Sequence, residues 1–147
     1  VVLVDCGAVV DGYCSDMTRT VALGDPGAGM RTAYDVVLAA QRAAIEGIGP
    51  GKTGREADAL ARDVIAAADL GPRFSHSLGH GIGLEVHERP RLSKKSDDRL
   101  LTGMVVTVEP GVYIAGSGGV RIEDDVILGP DGAEILTHAP KETFRVL

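Results

Sequence analysis

Apolar and β-branched residues crowd the first ten positions, Val1 to Val10, and predict a strand. Asp11-Gly12 follows, a dipeptide that tolerates the positive φ angles of a two-residue hairpin turn. Tyr13 to Leu23 reads as the returning strand, and Gly24-Asp25-Pro26-Gly27 as a loop. The period then becomes helical, with apolar residues at Met30, Ala33, Val37, Ala40, Ala44 and Ile48, until Gly49-Pro50-Gly51 ends the run. Thr53 and Glu56 have capping-box spacing, in which each side chain satisfies an otherwise unpaired N–H of a new helix. Leu60, Val64 and Ala67 continue the apolar face of that helix, and Gly71-Pro72 closes it. His76 to His87 is a Gly-rich stretch, read as a loop, that holds three of the four histidines. Met104 to Ile114 predicts a strand, Gly116 to Gly119 a turn, and Val120 to Leu128 the returning strand. Glu134 to Leu136 and Thr143 to Val146 predict a short terminal ladder. Strands, two helices, then strands give an α+β expectation.

The 147 residues suit one domain with a sizeable core. At 44% hydrophobic and 24% charged, the composition is that of a folded globular chain. A formal charge of −6 with no basic stripe argues against a phosphate-backbone binder. No apolar run approaches the roughly 18 residues of a membrane span. Cys6 and Cys14 do not make a disulfide framework and are expected as buried or half-buried free thiols in a reducing, cytoplasmic setting. There is no presequence, and the opening at Val1 in mid-strand suggests a piece of a longer protein.

A weak internal repeat gives these elements a chemical meaning. Val1-Val2-Leu3-Val4-Asp5-Cys6-Gly7 resembles Val105-Val106-Thr107-Val108-Glu109-Pro110-Gly111, and each segment leads into a hairpin whose returning strand carries an acid, Asp16 or Glu123. On the Asp11-Gly12 turn, Val10 faces Tyr13, Gly7 faces Asp16 and Asp5 faces Thr18. Asp5 and Asp16 are then diagonal neighbours, with Cβ atoms about 7 Å apart or less. A three-residue turn at Gly116-Ser117-Gly118 puts Gly111 opposite Glu123 and Glu109 opposite Asp125, so that Glu109 and Glu123 take the same diagonal relation. Four such carboxylates in apolar surroundings repel one another. Two divalent cations would neutralise them at the spacing of hydrolytic two-metal sites, about 3.5–4 Å. His80, flanked by Gly79 and Gly81, is the expected fifth ligand. One imidazole with four carboxylates favours Mn, Fe, Co or Zn over Mg or Ca. Asp97, Asp98, Asp124 and Asp125 are read as solvated or turn residues.

The ordered motifs extend this picture. Asp5 with Ser15-Asp16-Met17-Thr18-Arg19-Thr20, then His76-Ser77-Leu78-Gly79-His80-Gly81-Ile82-Gly83-Leu84-Glu85-Val86-His87-Glu88, then Val108-Glu109-Pro110-Gly111-Val112-Tyr113, then Gly119-Val120-Arg121-Ile122-Glu123-Asp124-Asp125, together resemble the pita-bread metallopeptidase family of methionine aminopeptidase, aminopeptidase P and prolidase. The likeness runs the whole length of the chain. It implies the pita-bread fold, a curved antiparallel sheet with helices on its outer face and a pseudo-twofold axis that would account for the repeat. Residues 1–147 would be a metallopeptidase catalytic domain, incomplete at its N-terminus.

The resemblance implies that Asp5, Asp16, His80, Glu109 and Glu123 ligate two metal ions, Asp16 and Glu123 bridging them, with manganese first and cobalt, zinc or iron also compatible. The motif forms are nearer the Xaa-Pro branch than methionine aminopeptidase. In that branch His76, His87 and Arg91 match positions that contact substrate. Arg121 matches a residue beside the ligand carboxylates and is grouped with the substrate-binding set. The implied reaction is hydrolysis of the peptide bond preceding proline, near the N-terminus of peptides or in Xaa-Pro dipeptides, by a metal-bridging hydroxide. Glu109 would shuttle the proton, and His87 and His76 would steady the oxyanion or the substrate. Two alternatives stay open: a methionine-type or other N-terminal aminopeptidase on the same site, and a catalytically inactive peptide-binding member of the fold. The expected partner is a peptide, not a nucleic acid or a membrane. A homodimer of the full-length protein also stays open.

Overall fold

The computed structural model describes residues 1–147. Its first unit is a ribbon in two short ladders. Strand β1 (Val2–Cys6) pairs with β4 (Met17–Val21), and β2 (Val9–Val10) pairs with β3 (Tyr13–Cys14). Asp11 and Gly12 both take positive φ, 51° and 87°, as a two-residue turn of this hand requires. Asp5 faces Thr18 and Val10 faces Tyr13, the register expected from the sequence. The ladder opens between these two stretches, around Gly7, Ala8, Ser15 and Asp16.

Helix α1 (Gly27–Gly47) buries Met30, Ala33, Val37, Ala40 and Ala44, the stripe set by its apolar period. Helix α2 (Gly54–Ala67) starts on the expected capping box, with Thr53 and Glu56 each accepting from the other's backbone N–H. Its core-facing stripe is not the expected one. Ala57, Asp58, Ala61 and Ile65 are buried, whereas Leu60 and Val64 are half-buried and Ala67 is exposed. The small residues face inward because α2 packs against both α1 and β6 (Glu88–Leu92). Asp69, at φ 59°, supplies the left-handed residue that ends the helix, and Leu70 N–H returns to the Ile65 carbonyl. The chain therefore turns before Gly71.

The main sheet is antiparallel, in the order β11 (Gly132–Ile135), β10 (Asp124–Gly129), β7 (Val105–Val108), β5 (Gly79–Gly81), β6. His80 thus lies in a strand, not in a loop. β7 continues after a break into β8 (Gly111–Ile114), which pairs with β9 (Gly118–Arg121) to form a second ribbon. Here the register differs from the expected one. Gly111 faces Arg121, and Thr107 faces Asp125. The turn is Ala115-Gly116-Ser117, closed by Ser117 N–H on the Ile114 carbonyl at 3.0 Å, with Gly116 at φ 77°. It begins one residue earlier than expected, so every pairing slips by two residues. Glu109 and Glu123 then stand directly across the opening from one another instead of diagonally.

Val106, Val108, Val112, Val120, Ile122, Val126 and Leu128 turn fully buried side chains into the core, and α1 packs over β7, β8, β9 and β11. Its alanines let the backbone come close. The two ribbons meet at a Thr18–Glu123 bridge. Residues Thr143–Val146 do not pair with β11 but cross to the end of the first ribbon, where Val146 bridges Ala22, the residue after β4, in parallel. Both cysteines are free, and Cys6 is exposed where a buried or half-buried position was expected. No helix is long and apolar enough to cross a membrane.

Candidate metal centre

Both ribbons open where the acids sit. Asp16 lies in the opening of the first, and Glu109 and Glu123 in the opening of the second. His80 enters between them from β5, because its two glycine neighbours let that strand press against both flanks. A Cβ on Gly79 would strike the Thr107 carbonyl of β7, and one on Gly81 would strike the Arg89 carbonyl of β6. The segment leading into β5 is fixed by a buried ion pair on α2. Arg62 grips Asp58 at 2.6 Å and donates to the carbonyls of Phe74 and His76, and Asp58 accepts from Leu78 N–H at 3.1 Å.

The result is one cavity of about 610 Å³ lined by Asp5, Asp16, His80, Glu109 and Glu123, together with His87 and Arg121. Ligand atoms of Asp16, His80 and Glu123 all lie within 4.8 Å of one another. His80 Nε2 is 3.4 Å from Glu109 Oε1. The Nδ1 of His80 is 3.0 Å from the Gly81 carbonyl, which can only accept, so Nδ1 carries the proton and Nε2 keeps its lone pair for a cation. Burial also holds the His80 pKa below the ordinary value, favouring neutral imidazole. Asp5, at the exposed rim, is ion-paired with Arg121.

The carboxylates are crowded and buried together. Burial first, then the charge of Glu109, pushes Glu123 up to about 8. Burial raises Glu109 to about 7, with Asp16 and Asp5 adding repulsion against the pull of Arg121. Asp16 is raised by burial and by Asp5. Hard oxygen donors, one neutral imidazole and carboxylates that resist ionising together fit divalent metal ions.

A set of residues not singled out from the sequence orients these groups. The Thr18 hydroxyl donates to Glu123 Oε2 at 2.5 Å and accepts from Arg121 Nε at 2.9 Å. The Thr107 hydroxyl accepts from His80 N–H at 3.1 Å and donates to Glu109 Oε1 at 3.3 Å. Thr18 stands two residues after Asp16 and Thr107 two before Glu109, each on the strand that leads into the opening where the acid lies. That spacing was the available signal. Asp124 and Asp125, read as solvated, are buried. Asp124 is held by Arg19, Gln41 and Lys141, and Asp125 accepts from Asp16 N–H at 2.9 Å. Asp98 is half-buried and accepts from Arg91 N–H, and Asp97 is exposed beside Arg55.

The four residues expected on the substrate side divide. His87 is exposed at the cavity, its ring 4.3 Å centroid to centroid from that of His80. Arg121 lines the cavity. Arg91 faces His80 across the β5–β6 ladder but does not line the cavity. His76 lies behind it, with Nδ1 donating to the Ser77 carbonyl at 2.8 Å and Nε2 accepting from Tyr113 Oη at 3.0 Å. Tyr113, also unanticipated, in turn lies 3.5 Å from Arg121 Nη1.

Comparison with known proteins identifies the family of the chain. Residues 1–130 match the model of metallopeptidase family M24. The chain is 55% identical over 141 residues to the uncharacterized peptidase YqhT of Bacillus subtilis, covering 96% of this chain and 40% of that protein. It is 48% identical to the Xaa-Pro dipeptidase of Pyrococcus furiosus, with the same coverage. The solved Xaa-Pro dipeptidase from Bacillus anthracis superposes with a TM-score of 0.96 at 54% identity, over 99% of this chain and 41% of that one. The chain therefore has the pita-bread architecture of these peptidases and spans about 40% of the length of the curated relatives it matches. On the family match and the fold together, it belongs to metallopeptidase family M24.

Proposed function

We propose that the whole protein is a two-metal peptidase that cleaves the bond preceding proline, in Xaa-Pro dipeptides or near the N-terminus of Xaa-Pro peptides, with residues 1–147 as part of its catalytic domain. The observation that carries this reading is the convergence of Asp16, His80 and Glu123 within 4.8 Å, in a cavity shared with Asp5 and Glu109. The names of its relatives favour the Xaa-Pro branch over the methionine one. Asp5, Asp16, His80, Glu109 and Glu123 would hold the ions, with Asp16 and Glu123 shared between them. Mn²⁺ is the first choice, and Co²⁺, Zn²⁺ and Fe²⁺ also suit the donor set. When bound, the ions would supply a water acidic enough to attack a carbonyl near neutral pH.

The chain's own groups divide the remaining work. Glu109 is the proton carrier: its carboxylate takes the proton given up at attack and returns it to the leaving nitrogen. Its position beside Thr107 Oγ1 and His80 Nε2 keeps it aimed at the cavity. His87, at the cavity mouth, donates a hydrogen bond to the developing oxyanion. Arg91, across the ladder from His80 and outside the cavity lining, keeps the substrate contact that the resemblance implies. Arg121 steadies Asp5 directly, and His76 acts on the site through Tyr113. A cytoplasmic location completes the reading. The test is hydrolysis of Ala-Pro, Ala-Pro-Ala and Met-Ala-Ser by the full-length protein with Mn²⁺. Cleavage confined to the proline substrates is expected. Preference for Met-Ala-Ser would overturn the reading in favour of a methionine-type aminopeptidase.

A further inference from the structure

The two ribbons that carry the acids touch along a short seam. Its backbone pairing is the single Thr18–Glu123 bridge, with Glu123 N–H on the Thr18 carbonyl at 3.1 Å. On one side of it the Arg19 guanidinium crosses from β4, donating to the Glu123 carbonyl at 2.6 Å and to Asp124 Oδ1 at 2.7 Å. On the other side the crossing runs in the opposite direction. Asp125, on β10, sends its carboxylate to the first ribbon, where Oδ2 accepts from Asp16 N–H at 2.9 Å.

This carboxylate is costly. Asp125 is only 6% exposed, and its Oδ1 has no hydrogen-bond partner. A buried charge with an unsatisfied oxygen is unfavourable unless something depends on it. The strand itself does not need it, because Asp125 N–H is satisfied by Thr137 Oγ1 at 3.0 Å and β10 is paired on both edges. Asp16 does need it. Its N–H lies in the opening of the ribbon, where no strand partner is present, and Asp125 Oδ2 is its acceptor.

We propose that Asp125 is a positioning residue: its buried carboxylate anchors the main chain of Asp16 to the strand that follows Glu123, and so fixes the separation of these two acids. The inference rests on the reading of Asp16 and Glu123 as ligands shared by two ions. Two shared ligands on separate ribbons must keep one spacing. Arg19 and Thr20 secure the seam on one side of the Thr18–Glu123 bridge. On the other side, between that bridge and the bond from Cys14 N–H to the Gly83 carbonyl, Asp125 is what holds the main chain of Asp16.

The test uses the full-length protein loaded with Mn²⁺, read by ion stoichiometry, by dissociation constants and by the electron paramagnetic resonance of the bound manganese. The native protein should hold two ions with a spin-coupled signal. In Asp125→Ala the weaker ion should dissociate about 10- to 100-fold more readily, the usual effect of losing a group that orients a ligand. The coupled signal should give way to the six lines of isolated Mn²⁺. Asp125→Asn keeps an acceptor oxygen for Asp16 N–H and should restore both the affinity and the coupling. A merely structural role would lower thermal stability and leave the coupling intact in the molecules that fold. An Ala variant with native affinity and coupling overturns the proposal, and so does an Asn variant as impaired as Ala. If the Ala variant does not fold, the Asn variant decides, because loss of coupling there also overturns it. A native protein that fails to bind two ions overturns the shared-ligand reading instead, before any variant is compared.

Discussion

Glu123 is 2% exposed, and the cluster around it gives its proton an unusual hold. Its pKa in the fold without cations, about 8, lies above the unfolded value, as does that of Glu109 at about 7. Between about pH 4.5 and 8 these two carboxyl groups therefore bind more protons in the folded state than in the unfolded state, and their contribution to the stability of the metal-free protein falls as pH rises through this window. Cations bind the deprotonated carboxylates and so reverse that loss. The rise in Tm on adding Mn²⁺ should accordingly be larger near pH 8 than near pH 5.5, and thermal melts with chelator and with metal check this. A second prediction concerns Thr18, whose hydroxyl holds Glu123 Oε2. Thr18→Val should weaken metal binding about 10- to 100-fold with little change in fold, measured by titration calorimetry. At this scale the acids were legible, because paired motifs mark them out against ordinary hairpin residues. Asp124 and Asp125 were not. An acid beside an acid reads as solvated until a buried partner such as Arg19 or Lys141 is brought to it from far along the chain.

The elements deliver those residues through backbone approach. β5 is a three-residue strand wedged between β6 and β7, and it fits because Gly79 and Gly81 carry no side chain. Gly79→Ala or Gly81→Ala sets a methyl group against a carbonyl of the neighbouring strand. It should destabilise the protein by about 3 kcal/mol or more, the upper end for overpacking, and abolish metal binding; denaturant titration and metal analysis read both. Thr53→Ala provides the contrast. It should cost about 1 kcal/mol through the lost cap of α2 and leave metal affinity unchanged. Local chemistry made the first hairpin and the capping box readable, since Asp11-Gly12 and Thr53-x-x-Glu56 determine their own geometry. The second hairpin was misregistered because its Gly-rich turn admits several starting points, and only the packing of β7 on β10 selects one. The buried face of α2 was misplaced for a similar reason: Ala57, Ala61 and Asp58 face inward by virtue of their neighbours, not their hydropathy.

Across the whole molecule, the two ends of the chain are locked together beneath the site. Asp124 is fully buried among Arg19, Gln41 and Lys141, and Tyr34 stacks on Phe144 at 4.5 Å while donating to the Lys141 carbonyl at 2.8 Å. This lock draws the first ribbon, α1 and the last residues onto the strand next to Glu123. Lys141→Met should cost about 3 kcal/mol, because it leaves part of a buried charge uncompensated. Such long-range pairing lies outside any local pattern, whereas the repeat between residues 1–7 and 105–111 did announce two similar ribbons meeting at their acids. All five expected ligands line the one cavity, while His76 and Arg91 lie outside its lining. The most direct test of the account is the metal content of the purified full-length protein after equilibration with Mn²⁺ and desalting, alongside Asp16→Asn. Two ions per chain in the native protein, and loss of the pair in the variant, is the predicted result. One ion or none in a natively folded protein, or an unchanged pair in Asp16→Asn, would contradict it.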